Sequence, residues 1–213
     1  ARQRYQKASG LKRWLPYTKV PHYLAGDAEH LPLVDNSVDL VFANLALQWC
    51  DPRISFAEIQ RVLRPDGLLM FTTLGPDTLR ELRQAWAEVD DYPHVNMFYD
   101  MHDVGEAMMA AGLAEPVLDT DRYTLTYDSA MALMKDLKVL GARNVNSGRR
   151  RGLTGKDTIK HVAEAYEQFR RDALLPATYE VVYGHAWGGQ LKQKNIEGEI
   201  RIPVNQIQRR KSV

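Results

Sequence analysis

One acidic residue near the start of the chain has the setting of a ligand-binding carboxylate. Asp27 follows the short apolar segment 20–25 and a glycine, a pattern typical of the end of a strand. Its carboxylate could accept a hydrogen bond from the amino group of a base such as adenine, and the amide of Ala28 could meet a ring nitrogen. The alternative is that Asp27 caps amides of its own loop. The Leu-Pro pair and the apolar strand that follow favour ligand binding.

A second candidate position lies at the end of the clearest buried strand. Residues 38–43 form a nearly continuous apolar run, which indicates a strand covered on both faces. Asn44 follows at the carboxyl end, where open parallel sheets bind ligands. We expect Leu45 and Trp49 to line the same ligand, although a core position for Trp49 is equally well supported.

The elements around these positions alternate between strand and helix. Residues 38–43, 54–63 and 68–74 are predicted as strand, helix and strand, with turn residues at 64–67. This order implies parallel pairing, a right-handed crossover and an α/β fold. The remaining predictions are helices at 77–89 (capped by Asp77), 103–111, 129–140 and 156–171, and strands at 118–127, 179–187 and 199–204.

Composition restricts the class of protein. The 213 residues are 45% hydrophobic and 26% charged with a net charge of +1, so neither nucleic acid nor a membrane is predicted as a partner. No apolar run approaches the roughly 20 residues that span a bilayer. The single Cys50 excludes an internal disulfide framework and suits a reducing cytosol. We therefore expect a cytoplasmic protein.

Charged and histidine side chains give less specific signals. Basic residues concentrate in residues 1–20, 143–160 and 209–211. Such runs are usually solvated, but they could also dock an acidic partner. The histidines have no metal-ligand spacing, so no metal site is predicted. His185 could contact a substrate from its predicted strand, although a structural histidine is the commoner explanation.

Several stretches of the chain have a sequence that is shared with known enzymes. They include Gly26-Asp27-Ala28-Glu29-His30-Leu31-Pro32, Leu47-Gln48-Trp49-Cys50, Glu81-Leu82-Arg83-Gln84-Ala85-Trp86 and Pro176-Ala177-Thr178-Tyr179. In these stretches, which span most of residues 20–187, the chain resembles the malonyl-acyl-carrier-protein O-methyltransferases of biotin synthesis. That family belongs to the class I methyltransferases, which use S-adenosylmethionine (SAM). The first stretch is common to many methyltransferases, whereas the later ones are more specific.

The resemblance implies a Rossmann-like class I methyltransferase sheet with a helical lid insertion. It divides the chain into a partial SAM-binding core (1–126), a lid (127–176), and final core strands with a basic tail (177–213). Family members carry a Gly-rich loop upstream of the position of Ala1, so the cofactor site of this sequence is expected to be incomplete. The residues expected to bind SAM are Asp27, Ala28, Asn44, Leu45 and Trp49.

The resemblance also implies a substrate, the malonyl thioester of the acidic acyl carrier protein. Recognition of its free carboxylate favours arginine, whose guanidinium has a matching fork of donors. The candidates are Arg149, Arg143 and Lys138, with His185 as a further contact, although Gly-Arg-Arg-Arg-Gly is also typical of an exposed basic loop. No catalytic base is expected, because a carboxylate is already a nucleophile at neutral pH. The protein's task is then positioning.

Two other functions stay open. A sister family of respiratory-complex assembly factors shares the segment 176–179 and resembles a protein-arginine hydroxylase. The stretches 48–50 and 81–86 favour the methyltransferase. The remaining alternative is a non-catalytic fragment that binds partners but not SAM, and the missing Gly-rich loop supports it.

Overall fold

A computed structural model of the chain describes residues 23–142, 144–146, 148–149, 152 and 154–189. This part contains four strands, five α-helices and two short 3₁₀ turns, at Leu47–Trp49 and Glu167–Phe169. The strands are β1 (Val38–Asn44), β2 (Leu63–Leu74), β3 (Ala114–Tyr127) and β4 (Leu175–Trp187). The helices are α1 (Pro52–Val62), α2 (Arg80–Ala87), α3 (Met101–Ala110), α4 (Ala130–Val139) and α5 (Lys156–Tyr166).

The four strands form one mixed sheet in the order β1-β2-β4-β3. β1 and β2 are parallel and are joined by α1, which confirms the predicted strand–helix–strand unit. β4 is antiparallel to both of its neighbours. The predicted α/β fold is therefore confirmed, with the last strand inserted in the reverse direction between β2 and β3.

Local sequence explains where α1 begins and which face it buries. The side chain of Asp51 accepts a hydrogen bond from the backbone N–H of Arg53, and a proline follows the cap at the first helical position. Phe56 and Ile59 lie one turn apart and are buried against the sheet. The ring of Phe56 meets that of Phe71 on β2 with centroids 5.3 Å apart. This face, together with α3, covers one side of β1 and β2.

A second core lies above the carboxyl ends of β1 and β2. There α2, α4 and α5 pack on the first residues of β4, and Tyr166 is fully buried with its hydroxyl donating to the carbonyl of Pro176. Because β2 ends at Leu74, which pairs with Val181, the described part of β4 before that point pairs only with β3. The segment between Tyr127 and Leu175 is thus fixed to the sheet by its own apolar core.

Several predicted helix ends are confirmed because they depend on local chemistry. Ser129 caps α4, and Gly141 follows that helix with a φ of 78°. The prediction that Asp77 caps a helix is wrong. α2 begins only after Leu79, which has a φ of 55°, and the Asp77 carboxylate pairs with Arg122 at 2.8 Å instead.

The strand predicted at 20–25 is not found in its described part, since residues 23–25 form no strand. The chain there enters a turn bridged between Asp27 and His30. The strand predicted at 199–204 lies outside the described residues.

No helix in the part of the chain that the structure describes is long and apolar enough to cross a membrane.

Gly184 of β4 gives a direct test of the sheet register. It pairs with Phe71, whose ring covers it, and an added Cβ would overlap that ring and lie 2.8 Å from Leu118. We expect Gly184→Ala to lower the free energy of unfolding by about 1–3 kcal/mol through overpacking, as measured by chemical denaturation. Gly148→Ala is the control, because its Cβ would meet Pro93 at an ordinary 3.5 Å. Equal stability of wild type and Gly184→Ala would contradict this packing.

Candidate functional site

A cavity of about 280 Å³ opens where the carboxyl ends of β1 and β2 meet the segment between β3 and β4. Its walls are mainly apolar, with a small number of polar side chains, which is typical of small-molecule sites. The apolar lining includes Leu45, Trp49, Leu74, Leu79, Leu82, Val95, Phe98, Leu137 and Leu140. The polar lining consists of Gln48, Thr78, His94, Asn96, Asn144 and Tyr179.

The turn that follows β1 is fixed by Thr72 of the neighbouring strand. Its hydroxyl donates to the side-chain oxygen of Asn44 at 2.7 Å and accepts from the amide of Leu45 at 3.0 Å. Leu45 has a φ of 46°, which is unfavourable for a non-glycine residue. The two hydrogen bonds hold this conformation, and the Leu45 side chain consequently lines the cavity.

The loop that carries Asp27 is attached to the N-cap of α1 and to its last turn. One Asp27 oxygen accepts from the amide of Glu29 at 3.0 Å, so the local capping considered as an alternative does occur at that oxygen. The Glu29 carboxylate accepts from the amide of Asp51 at 2.7 Å. Further along, Arg61 donates to the carbonyl of Leu31 at 2.9 Å. The loop is therefore held against α1, and Asp27 remains exposed.

The acidic loop lies close to Cys50, which follows the 3₁₀ turn Leu47–Trp49. Burial raises the pKa of the Cys50 thiol, and the nearby carboxylates of Glu29 and Asp27 raise it further. A raised pKa favours the thiol form of Cys50, which is less nucleophilic than the thiolate. A hydrogen bond from Arg61 lowers the pKa of Glu58 to about 2. Glu58 therefore stays ionised and forms an ion pair with Arg61 at the base of the loop.

Three hydrogen bonds join the roof of the cavity to its wall. The side chain of Asn144 donates to the carbonyl of Pro93 at 2.6 Å, and that of Asn146 donates to the carbonyl of Val95 at 3.3 Å. Between them, the amide of residue 145 donates to the Asn96 side chain at 3.2 Å. These bonds between residues 93–96 and 144–146 are called the lid clamp below. Arg149 follows the clamp and donates to the Asn146 carbonyl at 3.1 Å.

The structure brings together only part of the predicted site. Leu45 and Trp49 line the cavity, and Asn44 precedes them at the end of β1. Asp27 and Ala28 lie in the loop beside Cys50 rather than in the cavity wall. The cofactor-binding roles of these five residues stay predictions.

The predicted substrate contacts are more scattered. Lys138 is exposed on α4, next to the cavity-lining Leu137, and Arg149 is exposed beyond the lid clamp. Arg143 lies outside the described residues. His185 pairs with Met70 and Val117 within the sheet and is not among the residues that line the cavity. Its position therefore gives no support to a substrate contact.

A histidine that sequence reasoning passed over lines the cavity. The His94 ring stacks on Trp86 with centroids 3.5 Å apart and an angle of 9° between the planes. Its Nε2 lies 2.7 Å from the Asp90 carboxylate. The spacing of four residues between Asp90 and His94 was a weak signal for this pair, because no helix was predicted there.

The sequence was compared with protein families and with curated proteins. Residues 1–71 match a family described as "Methyltransferase domain". A malonyl-[acyl-carrier protein] O-methyltransferase from Laribacter hongkongensis is 54% identical over 172 residues, which cover 80% of this chain and 58% of that protein. One from Halorhodospira halophila is 47% identical over 206 residues, which cover 94% of this chain and 70% of that protein. The chain thus spans 58–61% of the length of the first three curated relatives.

The fold was compared with solved structures. A candidate methyltransferase from Bacillus halodurans superposes with a TM-score of 0.51 and 16% identity, covering 78% of this chain and 70% of that one. At this identity the likeness shows the fold alone. The described sheet and helices therefore have the Rossmann-like arrangement of class I methyltransferases.

Substitution of Thr72 tests whether its hydroxyl stabilises the turn at the edge of the cavity. We expect Thr72→Val to lower the free energy of unfolding by about 0.5–1.5 kcal/mol, because the hydroxyl bonds to residues 44 and 45 are lost while the shape is kept and the amide of Leu45 retains the backbone carbonyl of Thr72. Thr72→Ser keeps the hydroxyl and should cost less. Urea denaturation of the two variants measures the difference. Equal losses in both would mean that the methyl group, and not the hydroxyl, stabilises this turn.

Proposed function

The chain belongs to the malonyl-[acyl-carrier protein] O-methyltransferase family, and on this basis we propose that it methylates the free carboxylate of a malonyl thioester carried by acyl carrier protein. The observation that carries the proposal is the cavity between the end of β1 and the segment 128–174. It is mainly apolar, partly closed and placed where open parallel sheets bind ligands. The names of the curated relatives supply the substrate class.

SAM is the proposed methyl donor, and the residues present fit its adenine end. Asp27 uses one oxygen on its own loop, which leaves the other for the amino group of adenine. The apolar side chains of Leu45 and Trp49 suit a flat aromatic base or the methionine chain. Asn44 ends β1, and its side-chain oxygen accepts from the Thr72 hydroxyl.

The chemistry requires positioning rather than acid–base catalysis. When SAM is bound, it supplies the methyl group: the carboxylate oxygen bonds to the methyl carbon as the carbon–sulfur bond breaks, leaving a methyl ester and S-adenosylhomocysteine. The chain's own residues have to hold the carboxylate in line and exclude water. The apolar walls formed by Leu45, Leu79 and Leu140 are suited to that exclusion.

The lid region supplies the candidate contacts with the anionic substrate. Arg149 extends from the lid clamp into solvent and is tied by one nitrogen to the carbonyl of Asn146, which leaves further donors of its guanidinium for a carboxylate. Lys138 adds a positive charge on α4 beside the cavity. Both suit an acidic carrier protein approaching from the lid side. Lys192 and Lys194 would add positive charge to the same docking surface, but they lie outside the described residues.

The alternative functions have less support. The curated relatives that match this chain are named as methyltransferases, which favours methyl transfer over an arginine-hydroxylase role. Direct measurement of SAM binding distinguishes a non-catalytic role from the proposed one. The single cysteine supports placing the reaction in the cytoplasm.

Calorimetric titration of S-adenosylhomocysteine into the chain tests the cofactor site. Wild type should bind, and Asp27→Asn should weaken binding by about 1.5–3 kcal/mol, the usual loss for a hydrogen bond to a charged group. The oxygen of an asparagine side chain can still accept from the Glu29 amide. Its NH₂ group, which is a donor, then faces the adenine amino group, which is also a donor. Asp39→Asn, at the opposite end of β1, is the control. The Halorhodospira halophila relative serves as a positive control.

Two results of that titration would count against the proposal. Failure of the wild-type chain to bind, with the relative binding normally, would support the non-catalytic alternative. Unchanged affinity in Asp27→Asn would remove Asp27 from the adenine site.

Arg149 is tested by transfer of labelled methyl groups to malonyl-acyl carrier protein. We expect Arg149→Ala to lower kcat/KM by an amount that corresponds to about 1–3 kcal/mol, because a charge-assisted contact with the carboxylate is lost. Binding of S-adenosylhomocysteine should stay normal. Arg64→Ala is the control, since Arg64 is an exposed arginine at the far end of the sheet. Normal turnover by Arg149→Ala would exclude it from the substrate site.

A further inference from the structure

A second cavity, of about 320 Å³, lies on the other face of β4 from the candidate functional site. Thr178 lines this second cavity, whereas its neighbour Tyr179 lines the first, and adjacent residues of a strand point to opposite faces. On α2, Glu81 lines the second cavity and Leu82 lines the first. Among the described residues the two cavities have no lining residue in common, so the second is a separate space.

The lining of the second cavity is polar and carries more positive than negative charge. Arg80 and Arg171 both contribute to it. Within its described lining the single carboxylate is that of Glu81, which is buried and accepts from the amide and the hydroxyl of Thr178. The Nε of Arg80 lies 3.4 Å from the Glu81 carboxylate. Arg80 therefore balances the charge of Glu81, and the charge of Arg171 is left uncompensated.

The guanidinium of Arg171 forms no hydrogen bond or ion pair with any residue that the structure describes. The preceding arginine is different. Arg170 pairs with Glu167 at 2.5 Å and donates to the carbonyl of Ala173 at 2.6 Å. Because a guanidinium has five N–H donors, Arg171 can offer a full set of them to a molecule in the cavity.

A tight turn fixes the backbone of Arg171. The amide of Arg171 donates to the carbonyl of Leu174 at 2.9 Å, and the amide of Leu174 donates back to the carbonyl of Arg171 at 2.8 Å. The two residues between them, Asp172 and Ala173, have positive φ values of 48° and 65°. These values are unfavourable for residues other than glycine and persist only where the surroundings fix them. The backbone position of Arg171 is thus set before any ligand binds.

The cavity also offers an apolar surface, formed by Phe169 and Pro176. The Phe169 ring meets the buried ring of Tyr166 edge to face, with centroids 5.7 Å apart, and is thereby held in place. The volume falls within the range of small-molecule sites, about 300–1,000 Å³. It exceeds what a free inorganic anion requires, so the cavity suits an anion that is joined to an apolar group.

We propose that this cavity binds a small organic phosphate, with the phosphate between Arg80 and Arg171 and the organic part against Phe169. The planar donor fork of arginine matches the geometry of phosphate oxygens. The hydroxyl of Thr124 and the amide of Gln84 also line the cavity and can donate to the phosphate. These donors come from different elements, and a phosphate, with three terminal oxygens, can reach more of them than a carboxylate can. The proposal does not depend on the proposed function, because the two cavities are separate.

The test uses phenyl phosphate as the probe and phenol as its uncharged counterpart. Binding to the full chain is measured by ligand-observed NMR titration. Wild type should bind phenyl phosphate saturably and phenol at least tenfold more weakly. Arg171→Ala should weaken the binding of phenyl phosphate about 10- to 100-fold, as expected for a lost hydrogen bond between charged groups. Since the Arg171 side chain has no partner among the described residues, this variant should keep the unfolding temperature of wild type, which calorimetry checks.

Arg64→Ala is the matched control, because it removes the same charge from the far end of the sheet and should bind phenyl phosphate as wild type does. Equal weakening in Arg64→Ala and Arg171→Ala would mean a general attraction between charges and would overturn the proposal. Lack of saturable binding by wild type, or equal affinity for phenol and phenyl phosphate, would overturn it as well. Displacement of phenyl phosphate by S-adenosylhomocysteine would place the probe in the first cavity and would also refute the assignment.

Discussion

The cavity depends on the extension of β4 beyond the end of β2. Over this length β4 is supported by β3 on one side, and its buried polar groups bind the start of α2. The amide and hydroxyl of Thr178 both donate to the buried Glu81 carboxylate, and the amide of Asp77 donates to Glu180. Two carboxylates that would be costly to bury unpaired are thereby hydrogen-bonded, and they fix α2 on the extension. The helices that cover the cavity pack on this platform.

Two of the strained backbone positions lie at the same edge. Leu45 and Leu79 both line the cavity, and both have positive φ values, of 46° and 55°. Such conformations cost roughly 1–3 kcal/mol each and persist only where the surroundings fix them. The amide of Leu79 donates to the carbonyl of Thr178 at 2.7 Å, and that of Leu45 donates to Thr72. The strand ends therefore impose the conformation, and the leucine side chains are directed into the cavity wall.

The sequence predicted what is determined locally and missed what is determined by distant contacts. The parallel unit of β1 and β2 and the end of α4 at Gly141 follow from short-range patterns. Asp77 looked like a helix cap, but Arg122, far away in sequence, binds its carboxylate. Periodicity placed His185 on a strand but could not show that it lies at the other end of that strand from Tyr179, which lines the cavity.

Most polar side chains that line the cavity already have hydrogen-bond partners within the protein. Asn144 and Asn96 are used by the lid clamp. Gln48 donates to the carbonyl of Leu45 at 2.6 Å, while its buried Oε1 has no partner among the described residues. An unpaired buried acceptor costs about 1–3 kcal/mol, so it favours a ligand or water that donates to it. The cavity thus offers an unpaired acceptor beside the end of β1, while the wall that carries His94 is joined to residues 144–146 by the lid clamp. A molecule that donates to this acceptor would lie between the edge of the sheet and the clamp, which is the placement that the proposed methyl transfer requires.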